Sequence, residues 1–262
     1  MTPADHPEPR EASPSLSPRA GPWEPRGSAS GAPFWGLNDL ALFVSLALPC
    51  LLLGALAWRA FALLTRIRLP VEEAAAIPAQ FIGYGLWFAS LRLLFRIRYN
   101  APFWQSLAWN FSARTVSLSM LLGFSLAIGV SVAGAILRTP QIDSPMRHLL
   151  EDPSSALMVG AMAVTLGPVC EELAFRGFLL PLLVPRIGLP AAIVGAALPF
   201  ALLHGPQYSW AWQYVLLITI AGCAFGWMRW RTNSTAAAAI MHAVYNLTFL
   251  SFYVLQQRLG GR

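Results

Sequence analysis

From Leu40 onward the chain alternates apolar stretches with short, arginine-bearing connections. Seven runs stand out, at 40–58, 79–95, 115–137, 156–180, 190–204, 210–228 and 235–255. About 20 apolar residues in a helix cross the hydrocarbon core of a bilayer, and tilt or local thinning accommodates other lengths. The second and fifth runs are short, and His204-Gly205-Pro206 closes the fifth. Backbone polar groups in lipid must bond within their own segment, so the runs predict helices. The expected fold is all-α, a polytopic transmembrane helix bundle of about seven to eight spans. The eighth would come from Phe103-Trp104-Gln105-Ser106-Leu107-Ala108-Trp109, which reads first as an interfacial helix. Phe34, Trp35, Trp58, Trp104, Trp109, Trp210, Trp212 and Trp230 lie near run ends, where interfacial aromatics belong.

Composition agrees. Hydrophobic residues make up 56% and charged residues 11%, against roughly 25% charged in a soluble domain. That excess of apolar surface excludes most soluble enzymes. Residues 1–33 are different, with eight prolines, several serines and mixed charges. Too little apolar surface is available there to offset ordering entropy, so a disordered tail is expected, followed by a transmembrane helical domain over 34–262. The net charge is +6 and every basic residue is arginine. The arginines stand singly or in pairs, such as Arg66/Arg68 and Arg229/Arg231, and form no basic stripe. Nucleic acid is therefore excluded as a partner, and the bilayer is the expected one. The Arg counts of successive connections tie, so orientation does not follow. Cys50, Cys170 and Cys223 each sit in an apolar run, without the paired spacing of a zinc knuckle.

Ionisable residues inside spans cost roughly 2.5–3.5 kcal/mol each at a helix centre and mark function by default. They gather in the second half. The fourth run carries Glu171, Glu172 and Arg176. Successive helical residues point about 100° apart, so the two glutamates cannot face one partner. Glu172 and Arg176 are four apart, acid first, the favoured order for an ion pair. Glu171 is left over. If the helix restarts at Pro168, Glu171 falls in a first turn, where an anion is stabilised. The fifth run places Phe200 and His204 on one face. The seventh places His242 and Asn246 on one face, after small residues that allow close helix approach. An unpaired Glu, two His and an Asn converging on a polar cleft have the composition of an active site.

Glu171-Glu172-x-x-x-Arg176, Phe200-x-x-x-His204 and His242-x-x-x-Asn246 resemble, in order and spacing, the three motifs of the CAAX protease and bacteriocin-processing (CPBP) family of intramembrane proteases. The resemblance covers about 155–250, the protease-like core, and is specific because three motifs occur in order. It implies an endopeptidase that hydrolyses a membrane-associated protein or peptide. Glu171 would be the general base that activates water, and His204 would help hold that water. His242 and Asn246 would stabilise the oxyanion, while Glu172 and Arg176 would brace the site. The residues themselves suit these roles: a positioned carboxylate serves as a base, and His and Asn can donate to a developing oxyanion. There is no G-x-S-x-G, and Cys170 has no adjacent cation to favour a thiolate.

The resemblance leaves room for zinc, bound by Glu171, His204 and His242 with an open position for water. A metal-free, cofactor-free mechanism is the preferred expectation. The two histidines lack H-E-x-x-H spacing, and the one acid that could orient them, Glu172, should be occupied by Arg176. If Glu171 were a ligand, no base would remain. Two other functions compete: a non-catalytic scaffold of the same fold, and a proton-coupled transporter, which would need paired repeats that the first half does not offer. The expected location is a cell membrane, multi-pass, with arginine and alanine usage pointing to a bacterial plasma membrane.

Overall fold

The computed structural model describes residues 32–69, 72–142 and 149–260, and among them there is no strand. The expected tail lies outside the described residues except for Ala32 and Pro33. Every apolar run becomes helix: α1 Leu37–Thr65, α2 Ala76–Tyr99, α3 Ala113–Ile136, α4 Pro153–Val164, α5 Leu166–Glu172, α6 Leu180–Ile187, α7 Leu189–Leu203, α8 Trp212–Thr232 and α9 Thr235–Gly260. Leu173–Leu179, between α5 and α6, is a π-helical turn.

Among the described residues, four segments are long and apolar enough to cross a membrane: α1, α3, Pro153–Ile187 and Thr235–Gln256. The expected spans thus divide into those four, the shorter apolar α7, and α2 and α8. The last two have the length, but arginines near their C-terminal ends dilute their apolarity. Large side chains such as Leu48, Leu52, Leu56 and Leu64 stand exposed along α1, as they must where lipid is the solvent. The protein is a membrane-embedded helix bundle.

Local chemistry sets the boundaries. Ser112 caps α3 by accepting from the Thr115 N–H at 3.2 Å, and Asp152 caps α4 through the Ser155 N–H at 2.8 Å, with Pro153 beginning the helix. Close helix contacts fall on glycines. A β-carbon on Gly54 of α1 would lie 2.5 Å from the Ala79 carbonyl of α2, and one on Gly123 of α3 would collide with the Met241 carbonyl of α9. The first crossing pairs α1 with α2 as a hairpin, and the second lays α3 against α9.

Three expectations are corrected by packing. The 103–109 segment is no eighth span. It forms one helical turn, Phe103–Ser106, whose Phe103 and Leu107 are buried. Trp35 is not interfacial: it is only 3% exposed and stacks on Phe95 and Phe178 with ring centroids 5.3 and 5.4 Å away. The first half also holds a buried ionic group that the runs did not reveal. Asp39 accepts from Arg98 at 2.9 Å, from the Tyr99 hydroxyl at 2.6 Å and from the Gly36 N–H at 2.8 Å. Three donors satisfy that carboxylate, which is why it tolerates burial.

Candidate active site

The fourth run is not one helix. Thr165, at φ −125° and ψ −92°, breaks it between α4 and α5. The break lies three residues before Pro168, so Glu171 falls in the second turn of α5 and not its first. Helix breaks expose carbonyls, and one is recovered across the bundle: the Asn246 amide of α9 donates to the Ala163 carbonyl at 2.8 Å. A second irregularity follows Glu172, where the chain widens into the π-turn. Such turns concentrate at functional sites because they re-aim side chains without ending the helix.

The π-turn carries Arg176, which is fully buried, as is Glu172. The expected pair forms: Arg176 Nη1 donates to Glu172 Oε1 at 2.8 Å. Arg176 Nη2 donates to the Gly222 carbonyl of α8 at 2.7 Å, and the guanidinium lies 4.7 Å from the Phe200 ring centroid. A β-carbon on Gly222 would sit 3.0 Å from Nη2. Gly222 therefore supplies both an acceptor and the space for the cation. The sequence signal for it is faint, a glycine inside Ala221-Gly222-Cys223-Ala224.

Glu172 is not monopolised by Arg176. The same Oε1 lies 2.9 Å from Nδ1 of His242, so the expectation that no acid would orient a histidine is corrected. A carboxylate accepting from arginine can only accept from the imidazole too, so Nδ1 carries the proton. His242 is further fixed by Phe225, whose ring stacks on it at 4.6 Å and 17°. Its other nitrogen, Nε2, faces Glu171 Oε2 at 3.8 Å. Glu171 is the less buried glutamate, with 27% of its side chain exposed. Tyr84 of α2 lies within electrostatic range of it.

His204 ends α7, with Nδ1 2.8 Å from the Phe200 carbonyl oxygen. A carbonyl only accepts, so this Nδ1 is also protonated. Phe200 lies between the histidines, its centroid 4.8 Å from His204 and 5.7 Å from His242. Glu171, Glu172, Arg176 and His242 thus form one contact network. Asn246 ties α9 to the helix break, and His204 approaches from the far side of Phe200.

A zinc ion would need Glu171, His204 and His242 to converge. Glu171 and His242 present oxygen and nitrogen to each other, and Glu172 behind His242 is the outer-shell partner that a ligating imidazole commonly has. The third donor does not join them: among the described residues, no three His, Cys, Asp or Glu side chains gather closely enough to hold a metal ion. The trio does not fit a three-ligand centre.

The elements that bring this network together, from α4 to α9, coincide with a known family model, that of the type II CAAX prenyl endopeptidase Rce1-like family. Residues 153–248 match that model, an Rce1-like domain. It spans both helix irregularities and all seven motif residues and matches the CAAX protease resemblance read from the motifs. The family is one of peptidases, and the domain covers a little over a third of the chain. Neither a curated protein nor a solved structure matches the chain. α1, α2 and α3 lie outside the Rce1-like domain.

Proposed function

We propose that the protein is an intramembrane endopeptidase of a bacterial plasma membrane, which hydrolyses a peptide bond in a membrane-associated protein or peptide using water activated by Glu171. One observation carries this reading: two adjacent glutamates have been given different tasks. Glu172 is sealed between Arg176 and His242, while Glu171 keeps an accessible carboxylate opposite His242 Nε2. An ion-pair scaffold needs only the first. A free carboxylate beside a fixed imidazole is the arrangement of a general base with a partner for its water.

In this mechanism Glu171 takes a proton from water as the water attacks the scissile carbonyl, and passes that proton to the leaving amine. The water's second O–H donates to one imidazole nitrogen, His242 Nε2, which Glu172 holds beside Glu171. The second amide N–H of Asn246, beyond the one spent on Ala163, is the donor for the oxyanion. No step runs through a metal ion. The reading separates from a scaffold of the same fold in one experiment. Membrane proteomes of cells carrying wild-type protein or Glu171→Gln are compared by terminus-selective mass spectrometry. New protein termini are expected only with the wild type, with equal amounts of both proteins in the membrane. Identical sets of termini would sink the proposal.

A further inference from the structure

Trp35 lies far outside the Rce1-like domain, yet its indole Nε1–H donates to the carbonyl of Phe178 at 3.1 Å, inside the π-turn. That carbonyl belongs to a turn whose i→i+5 bonding already spreads the ladder, so the indole adds a tie from outside the helix itself. Trp35 also stacks on the Phe178 ring, nearly parallel at 13°, so it holds both the backbone and the side chain of one residue.

Trp35 is itself anchored. The next residue, Gly36, donates its N–H to Asp39, whose carboxylate is fixed by Arg98 and Tyr99 of α2. Beside Phe178, Gly177 abuts Leu107, where a β-carbon would lie 3.3 Å from the Leu107 side chain, and Thr235 donates to the Leu107 carbonyl at 2.6 Å. The π-turn is therefore held at two successive residues, and the Trp35 contact comes from the half of the chain without motif residues.

We infer that Trp35 is a positioning residue for the candidate active site. Its indole N–H holds the π-turn in the register that aims Arg176 at Glu172, and so fixes His242 through the shared Glu172 Oε1. The inference rests on the proposed peptidase reading for its consequence, but its physical claim concerns geometry alone. If Trp35 were merely a core aromatic, losing its N–H would matter no more than at Trp87, whose indole donates to the Phe43 carbonyl at 2.7 Å between α1 and α2.

The test uses full-length protein in detergent micelles, wild type against Trp35→Phe and Trp87→Phe. The first readout is the ring resonances of His242, assignable because the chain has four histidines. The second is hydrogen exchange of the amides from Leu173 to Leu180. Trp35→Phe is expected to move the His242 signal and to speed exchange in the π-turn at least about tenfold, while Trp87→Phe leaves both unchanged. On a substrate identified with Glu171→Gln, Trp35→Phe should lower kcat about tenfold with KM unaltered. An unmoved His242 signal, or equal movement in Trp87→Phe, overturns the inference, and neither result depends on cleavage. If Trp35→Phe fails to fold, Asp39→Asn decides, since it loosens the anchor and leaves the indole in place. A smaller shift of His242 in the same direction supports the latch, and none refutes it.

Discussion

Replacing Arg176 with methionine removes the cation and keeps much of the side-chain volume. Glu172 then remains as a buried carboxylate partnered by His242 at Oε1 and by no hydrogen bond at Oε2, which has none even in the intact protein. Breaking one side of a buried pair costs about 3–5 kcal/mol. Adding Glu172→Gln removes the stranded charge, and the glutamine carbonyl can still accept from His242 Nδ1. What stays lost is the charged donor to the Gly222 carbonyl, about 1–3 kcal/mol for a buried acceptor left unmet, together with the stacking over Phe200. The double variant should therefore be more stable than Arg176→Met by about 2 kcal/mol. Graded SDS unfolding in mixed micelles, followed by tryptophan fluorescence, measures this, with wild type and Glu172→Gln completing the cycle. Additive effects of the two substitutions would show that the 2.8 Å contact carries no coupling, and the bracing role would fall with it. Cleavage should be lost in both single variants and stay lost in the double, since restored stability does not restore His242's carboxylate.

Gly222→Ala should destabilise the protein by about 1–3 kcal/mol through overpacking against Arg176 and Ala197 and lower cleavage. Gly226→Ala, whose nearest neighbour is Ile193 at 3.3 Å, should have the milder effect on both readouts. Protein stripped by prolonged chelation and checked by elemental analysis should keep full activity. Activity lost with the metal and restored by one equivalent of zinc would refute the metal-free mechanism.

The helices were legible because lipid leaves the backbone no alternative: a run of apolar residues long enough to cross must be helical. The Glu172–Arg176 pair was legible because i, i+4 spacing places both on one face. The break at Thr165 was not. Pro168 is the visible irregular residue, yet proline is tolerated in a first turn, so the chain breaks before it and uses it as the third residue of α5. The π-turn was equally hidden, because its residues Leu173–Leu179 have no composition that marks i→i+5 bonding. Its support comes from Trp35 and Gly222, distant in sequence and unremarkable in isolation.

The same limit governs the histidines. Spacing puts His242 and Asn246 on one face, and the family resemblance implies that both donate to an oxyanion. Which imidazole nitrogen points into the site is decided by a tertiary contact, Glu172 Oε1 against Nδ1, which puts a proton on Nδ1 and turns Nε2 toward Glu171. The Phe200 carbonyl one turn behind His204 fixes its Nδ1 proton in the same way. Asn246, in turn, spends one amide hydrogen on Ala163, a carbonyl freed by the break that the sequence did not reveal. The residues that meet in the contact network were thus readable, while the distribution of donors and acceptors within it was not. That distribution separates two mechanisms for one set of residues. A lone pair on His242 Nε2 takes the second O–H of the water that Glu171 deprotonates, whereas paired N–H groups would have held an oxyanion. We propose the first arrangement, with the oxyanion left to the remaining N–H of Asn246.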